Sequence, residues 1–564
     1  MTTTREYLRT ELPKEWKSCQ VSEFLLSTID DDVNHMVRVA FAHVYNFNRV
    51  EAASWFLRAK MKGCDPVLCD FGIAYANGVD YNKTIFVDDR EAKEAYDHVR
   101  SARERIDPKK HTPVLIALIK ALSERYEAPR CPATDHDYKR LNRDYANAMR
   151  QVYKKYHATS ADVCALYAES LMQMRPWKLW STSRDPETLE IKSVLELGLK
   201  SWSDHPGLCH LYVHLMEMSS EPETALKACE TLRRIFSRNF GHLAHMPSHI
   251  DMQIGAYDKA IISNELGIRA DLELLKIRKI DEFYFGYLAH NFHMCAWAAM
   301  FDGQYARAIK AATDIVEITP ISLIRAWSPD LESYVGVKWH VWIRFGRWKE
   351  ILDEPLRKDE KYFSVCICLG LYAKGIACAA MGHVREAKTY QEKFRDVLKK
   401  VPELARMHNV RAHQFLAVAD KMLDGELMYR CGELERAFEL LRTAVRLEDE
   451  LPYDEPWGWM SPTRHALGAL LLESGRVLEA EKVFRKDLKR YPMNLWALTG
   501  LLKCIQEDEN EKRNIRRMLA IASARADIPV GVACFCARGN KMCCTNTRSK
   551  EMTKRRKLNN DDEA

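Results

Sequence analysis

The feature that most constrains this chain is a degenerate repeat of paired helices. Its clearest copy runs from Ser461 to Asn494, and its signature residues are Leu467, Gly468, Leu471, Gly475, Ala480, Phe484 and Pro492. Gly468 is placed to let the second helix approach the first, and Gly475 is placed to form the turn between them. Pro492 ends the second helix because proline cannot continue a helical hydrogen-bond ladder. The pattern predicts two antiparallel helices that cannot bury their apolar faces alone and therefore stack on neighbours.

Partial copies of the same pattern extend over most of the chain. Their shared mark is glycine followed five residues later by alanine: Gly255/Ala260, Gly303/Ala308, Gly382/Ala387 and Gly432/Ala437, with degenerate copies at Gly346-Arg-Trp348 and Phe47…Ala52…Phe56…Ala59. The turn glycines from 255 to 475 lie 36 to 50 residues apart, which is more than the 34 of an ideal tetratricopeptide repeat. We therefore predict an all-α, tetratricopeptide-like helix-pair solenoid (an α-α superhelix) with irregular repeats over residues 21–527. A plain helical bundle is the alternative.

Both ends of the chain differ from this pattern. Residues 1–20 are expected to form an N-terminal tail, and residues 528–564 a disordered tail rich in cysteine and basic residues. Cys534, Cys536, Cys543 and Cys544 lack the paired Cys-x-x-Cys spacing of a structural zinc site. The run Lys554–Lys557 is typical of solvated tails, and nuclear import is its functional alternative. We expect a cytoplasmic protein, with a nuclear location as the alternative.

Composition excludes several classes of function. The net charge of +6 is a small difference between 85 basic and 79 acidic residues, so no partner with a strong negative charge is indicated. No apolar stretch approaches the roughly 18 residues of a membrane span, and we predict neither membrane nor nucleic-acid binding. The 17 cysteines are scattered, which favours reduced thiols in a core.

Histidines are concentrated in the central part, residues 205–293, which holds eight of the 19. His210, His214 and Glu217 are spaced i, i+4, i+7, so on a helix they fall within about 60° of one another. A second group, His242, His245 and His249, surrounds Pro247, which suits a first helical turn. Imidazoles and a carboxylate from neighbouring helices are ligands for Zn, Fe, Mn or Cu. These six residues are the candidate metal ligands, although hydrogen-bonded core histidines are an equal alternative.

Other residues are candidates for contact with a bound ligand. His290 and His293 form an i, i+3 pair on the first helix of the following repeat, and Trp177 and Trp180 lie in a proline-flanked loop that could cap the concave side. Glu169 and Tyr257 could act as acid, base or orienting groups. Tryptophans that fill a gap between helices are the simpler interpretation of the loop.

Several of these segments together resemble a family of tetratricopeptide-repeat domain proteins of bacteria and fungi. The resemblance rests on His205-Pro-Gly…His210…His214…Glu217, on Gly241-His242…His245-Met-Pro-Ser-His249-Ile, on the stretch from Ala165 through Glu169 to Trp180, and on the Phe47-Asn48…Glu51-Ala52 opening. It covers roughly residues 35 to 310. It implies the helix-pair fold and lends no activity, cofactor or partner.

Two functions remain open from the sequence. The first is a binding or scaffold protein that holds a protein or peptide segment, or a small molecule, in a concave groove lined by histidines. The second is a metal-dependent enzyme of small-molecule, including specialised, metabolism that uses the central histidine and glutamate cluster. Phosphate-loop, serine-hydrolase and His-Glu-x-x-His motifs are absent from the sequence. The oligomeric state and the identity of any metal are not indicated.

Overall fold

The computed structural model describes residues 31–180, 185–236, 240–277 and 282–538, and within them the fold is all-α. The predicted helix-pair solenoid class is confirmed: α-helices follow one another along the chain, and the strands of the described part are two-residue segments, β1 (Arg406–Met407) and β2 (Val410–Arg411). The chain divides into two compact units. The first comprises Met1–Ile250 and Ile262–Leu288, and the second Asp251–Ile261 and Ala289–Ala564.

The first unit begins with eleven helices in the described residues. They are α1 (Asp31–Tyr45), α2 (Arg49–Met61), α3 (Pro66–Ala76), α4 (Asp89–Glu104), α5 (Pro113–Ser123), α6 (Asp135–Tyr156), α7 (Ala161–Met172), α8 (Pro186–Ser201), α9 (Pro206–Met216), α10 (Leu226–Ile235) and α11 (Gly241–His245). A 3-10 turn at Pro222–Ala225 precedes α10. The division between the units falls within the next three helices, α12 (Pro247–Ile254), α13 (Tyr257–Ile277) and α14 (Glu282–Phe301).

The second unit continues with shorter helices and then with regular long pairs. They are α15 (Tyr305–Ile318), α16 (Ile321–Ala326), α17 (Ser328–Val335), α18 (Val337–Arg344), α19 (Trp348–Asp353), α20 (Glu360–Ala380), α21 (Val384–Leu398), α22 (Ala412–Arg430), α23 (Leu434–Asp449), α24 (Thr463–Glu473), α25 (Val477–Arg490), α26 (Leu495–Cys504) and α27 (Glu509–Ser523). A 3-10 turn follows at Phe535–Arg538.

The clearest repeat, α24 and α25, has the packing that its sequence predicts. Gly475 forms the turn at φ +82°. A Cβ on Gly468 would lie 2.5 Å from the ring of Phe484, which is fully buried. Only glycine permits this approach, because a methyl group there would overlap the ring. Ala480 is also fully buried at the contact between the two helices.

The same turn recurs at the other predicted repeat boundaries with a positive φ. Gly255, Gly303, Gly346, Gly382 and Gly432 have φ between 62° and 86°. In the first degenerate copy the turn position is occupied by Phe47, whose φ is 52°. A non-glycine residue in this left-handed region is uncommon; it costs about 1–3 kcal/mol and persists only where its surroundings hold it. Phe47 is therefore the exception to the turn rule of this fold.

One described helix, α20, has the length and composition of a membrane span, with a mean hydropathy of 1.8 over its most apolar window. That window is 100% buried within the protein. Burial of this kind is expected for the core helix of a helix-pair fold, where both faces are covered by neighbours.

The predicted tails are only partly within the described residues. The N-terminal tail 1–20 lies outside them, as do Cys543, Cys544 and Lys554–Lys557. Residues 528–538, expected to belong to a disordered tail, are placed against the second unit. Phe535 is buried with its ring 5.8 Å from that of Trp496, and Arg344 donates to the Ala533 carbonyl at 3.3 Å. Apolar burial and a guanidinium hydrogen bond explain why this part of the tail is ordered.

Candidate metal centre in the first unit

The central histidines of the first unit form one buried cluster. His210 and His214 lie on α9, His242 and His245 on α11, and His249 on α12, and each side chain is at most 2% exposed. The adjacent rings contact one another in sequence: His210–His242 at 4.8 Å, His242–His245 at 5.5 Å and His245–His249 at 4.5 Å between centroids. The six predicted metal candidates, Glu217 included, are thus brought together by the fold.

Local sequence explains how the three helices present these rings. Pro206 and Pro247 lie in the first turns of α9 and α12, where the missing N–H costs nothing. Gly241 begins α11, and a Cβ there would lie 1.9 Å from the Asp271 carboxylate. Glycine at this position is therefore required for α11 to approach α13, and with it for His242 to reach His210.

Three imidazoles are close enough to share one cation. A ligating nitrogen from each of His210, His214 and His242 lies within 4.8 Å of the other two. Tetrahedral zinc with bonds of about 2.0–2.1 Å places its nitrogen ligands somewhat closer together. Small side-chain rotations would bring the three rings to that geometry.

The hydrogen bonds of His210 fix which nitrogen faces the cluster. Its Nδ1–H donates to the Tyr45 carbonyl at 2.7 Å, so Nε2 carries the lone pair. Tyr45 is itself held, because its hydroxyl donates to Asp162, which also accepts from His205 Nε2 at 3.0 Å. Fixing a ring through its second nitrogen is the usual support for a metal-ligating histidine.

Glu217 lies behind the imidazoles rather than among their Nε2 atoms. Its Oε1 is 3.1 Å from His214 Nδ1, and its Oε2 is 2.9 Å from His249 Nδ1. Burial raises the pKa of Glu217, whereas an imidazole N–H at each oxygen favours the ionised form. Of the predicted candidates, Glu217 is positioned to orient two ligands.

His242 completes the group and is held mainly by ring contacts. Its Nε2 lies 3.1 Å from His210 Nε2, and its ring packs on Tyr287 at 4.5 Å. Because His210 Nε2 accepts, His242 Nε2–H is the donor in the metal-free protein. A cation that takes this place would displace that proton.

Burial keeps the His210 imidazole neutral. It lowers the pKa of His210 well below 6.5, and the neighbouring His214 lowers it further, against the Tyr45 carbonyl, which raises it. Neutral imidazole is the form that ligates metals. His210 is therefore available as a metal donor at physiological pH.

Aromatic side chains enclose the cluster on one side. Two of them, Phe47 and Tyr81, were not predicted from the sequence to lie at this site. Phe47 lies 4.5 Å from the ring of His210, and its ring is stacked on that of His214 at 6.3 Å with an interplanar angle of 13°. Tyr81 lies 5.0 Å from the His214 ring. A signal for Phe47 was available, since it replaces glycine at a repeat turn; Tyr81 carries no comparable signal.

The two tryptophans of the predicted capping loop differ in position. Trp177 contacts the Tyr81 ring at 5.1 Å and the His214 ring at 5.5 Å, at a backbone φ of 60°. Trp180 donates its Nε1–H to the Leu215 carbonyl at 2.6 Å. Trp177 therefore borders the cluster, while Trp180 fastens the loop to α9.

Glu169 sits in a separate buried network of the first unit. It accepts from Tyr75 Oη and from Gln173 Nε2, the latter at 2.9 Å. Burial, with a contribution from Asp80, raises its pKa to about 7. Its hydrogen bonds are with these residues and not with the imidazoles.

The remaining candidates belong to the second unit. Tyr257 donates its hydroxyl to the Pro492 carbonyl at 2.7 Å, next to Gly255, and so joins two repeat turns. The ring of His290 is stacked on that of His408 at 5.5 Å, and His293 Nε2 lies 3.3 Å from Met460 Sδ. Within that unit, these three side chains make the packing contacts and hydrogen bonds that are typical of core residues.

Comparison with known proteins adds no family to this picture. No family model matches the chain, and no curated protein matches it. Among solved structures it is similar to the human IFIT1 dimer with m7Gppp-AAAA, at 11% identity over 89% of this chain and 97% of that chain, with a TM-score of 0.33. It is also similar to Ypp1, at 11% identity over 86% of this chain and 63% of that chain, with a TM-score of 0.33. Likeness at this level carries no argument about the site.

Proposed function

We propose that the chain is a helical-repeat binding protein whose first unit holds a divalent transition metal ion on His210, His214 and His242. The observation that carries this proposal is the convergence of three buried imidazole nitrogens within 4.8 Å, two of whose rings are oriented through Nδ1 by the Tyr45 carbonyl and by Glu217. Zinc, copper, iron and nickel all accept imidazole ligands, and geometry and availability decide among them.

Three protein ligands also favour metal-dependent chemistry over a purely structural ion. Structural zinc sites are usually closed by four protein ligands, whereas catalytic sites keep a position for water or substrate. We infer that the protein acts on, or binds, a small molecule at this centre. We also propose that the His-Met-Pro-Ser-His motif reflects a relationship to the tetratricopeptide-repeat proteins that it resembles.

The burial of these three imidazoles argues against their being a peptide-binding surface. His210, His214 and His242 are 1%, 0% and 2% exposed, so an extended segment could not lie across them without opening the unit. A scaffold role remains a prediction for other surfaces of the repeats, and nothing in the cluster supports it.

Metal analysis tests this proposal. Tag-free protein, purified without added metal, should contain a stoichiometric transition metal by inductively coupled plasma mass spectrometry. The His210→Gln/His242→Gln variant should lose it while keeping its helical circular dichroism. His43→Gln is the matched control, since His43 is a buried histidine of the same unit whose nearest ring is that of Phe240, at 5.0 Å. A wild type that neither contains metal nor takes up added Zn²⁺ or Cu²⁺ would refute the proposal.

A further inference from the structure

A second pair of imidazoles beside the proposed centre faces nitrogen to nitrogen. The Nε2 atoms of His245 and His249 are 2.7 Å apart. On the far side of each ring oxygens are within reach: Asn264 Oδ1 lies 3.0 Å and Ser248 Oγ 3.3 Å from His245 Nδ1, and Glu217 Oε2 lies 2.9 Å from His249 Nδ1.

These contacts determine where the protons are. The Glu217 carboxylate accepts, so His249 Nδ1 carries a proton and His249 Nε2 presents a lone pair, whereas His245 Nδ1 can accept from the Ser248 hydroxyl. His245 Nε2–H then donates to His249 Nε2 at 2.7 Å, and both rings stay neutral. A metal ion that takes the place of this proton would be held by both Nε2 atoms.

We propose that His245 and His249 bind a second divalent transition metal ion, so that the cluster is a two-metal centre. This inference rests on the proposed function, because it assigns a neighbour to the ion on His210, His214 and His242. The ring of His245 lies 5.5 Å from that of His242, and the ring of His249 lies 5.8 Å from that of His214. Ions in two-metal sites are about 3.5–4 Å apart, a spacing that adjacent rings of this kind can provide.

Glu217 links the two sites. One of its oxygens holds His214, a ligand of the first ion, and the other holds His249, a ligand of the second. A carboxylate behind a ligating imidazole fixes the ring and makes it a better donor. Here one buried negative charge serves both ligands and offsets part of the repulsion between two cations.

At the second site, two imidazoles leave coordination positions for water or for oxygen and nitrogen atoms of a small ligand. A ligand that bridges both ions is therefore the class of molecule that this centre would take. The second ion displaces the proton that His245 donates to His249, and that proton passes to solvent.

Counting ions tests this inference separately from the proposed function. The full chain is stripped with a chelator, incubated with Zn²⁺ alone, desalted and measured by native mass spectrometry. We expect two zinc ions per chain. One ion would overturn the second site and leave the first; none would overturn both.

Variants identify the second site. His245→Gln/His249→Gln should retain one zinc ion, and His43→Gln should retain two. Two ions in the His245→Gln/His249→Gln variant, or none in a variant with unchanged circular dichroism, would contradict separate adjacent sites. If that variant does not fold, the single change His245→Gln and the wild-type count decide the matter.

Discussion

The ring of Phe47 lies 4.5 Å from the ring of His210, and it does so from a backbone position that glycine occupies in six other repeat turns. The two residues are 163 positions apart in sequence (210 minus 47). Strain at a non-glycine residue persists where the surroundings hold it, and such positions cluster at functional sites. We interpret Phe47 as a residue kept at this turn for its contact with the histidines.

Substitutions at Phe47 should reverse the usual order of stability, in which an alanine variant is more stable than a glycine variant. Both remove a buried ring and should destabilise the protein by about 3–5 kcal/mol. Phe47→Gly should nevertheless be about 1 kcal/mol more stable than Phe47→Ala, because only glycine adopts a φ of 52° without strain. Urea unfolding measures the difference.

Phe56 provides the matched control for this comparison. It is also fully buried, but it lies inside α2, where alanine is favoured over glycine by about 1 kcal/mol. If the alanine variant were more stable than the glycine variant at Phe47, as it should be at Phe56, Phe47 would not be strained.

Gly241→Ala should damage both the fold of the first unit and its metal binding. The added methyl group would meet Asp271 Oδ1 at 1.9 Å, so either α11, together with His242, or the buried Asp271 side chain would have to shift. We expect a loss of more than 2 kcal/mol in stability, as for other overpacked sites, together with weaker Zn²⁺ binding in calorimetric titration. Gly286→Ala is the control: nothing lies within 4 Å of its Cβ position, and the change should stabilise α14 by up to about 1 kcal/mol. Unchanged Zn²⁺ affinity in Gly241→Ala would disprove the role assigned to this glycine.

The fold was predictable because the turn glycines and the helix contacts of the repeat are local. Gly475 and Gly468 are sufficient to place α24 against α25. The grouping of His210 with His214 was predictable from helical spacing, and the proximity of His242 was predictable from the repeat. The Tyr45 carbonyl could not be predicted, since a main-chain atom has no sequence signature. Tyr81 was equally hidden, because only the tertiary fold brings it to His214.

Glu169 should make stability fall as the pH rises from about 5 to 8. Its pKa is raised by burial from 4.5 to about 7, so between these values the folded state holds a proton that the unfolded state has released. Stability therefore decreases through this range and levels off above it. In Glu169→Gln this contribution should disappear, and urea unfolding at pH 5 and pH 8 should show a smaller difference than in the wild type. The exposed Glu230 is the control, and a Glu230→Gln variant should match the wild type. An identical pH dependence in Glu169→Gln would contradict the raised pKa.

Trp177 should control how fast metal leaves the first unit. It is half-buried, whereas the His214 ring beside it is completely buried. Trp177→Ala should open a path to that ring and speed the removal of Zn²⁺ by a chelator several-fold. A zinc-sensitive dye measures the rate of removal. Trp202→Ala is the control, since Trp202 is also half-buried but caps the end of α8. Equal release rates in the two variants would show that Trp177 does not cover the site.

X-ray absorption at the zinc K-edge tests the central claim most directly, because it detects the ligand atoms themselves. For the His245→Gln/His249→Gln variant loaded with one equivalent of Zn²⁺, we predict three imidazole ligands at about 2.0–2.1 Å. The further change His210→Gln/His242→Gln should abolish that imidazole scattering. A zinc shell of oxygen ligands only, or an imidazole signal unchanged by those substitutions, would contradict a metal centre on His210, His214 and His242.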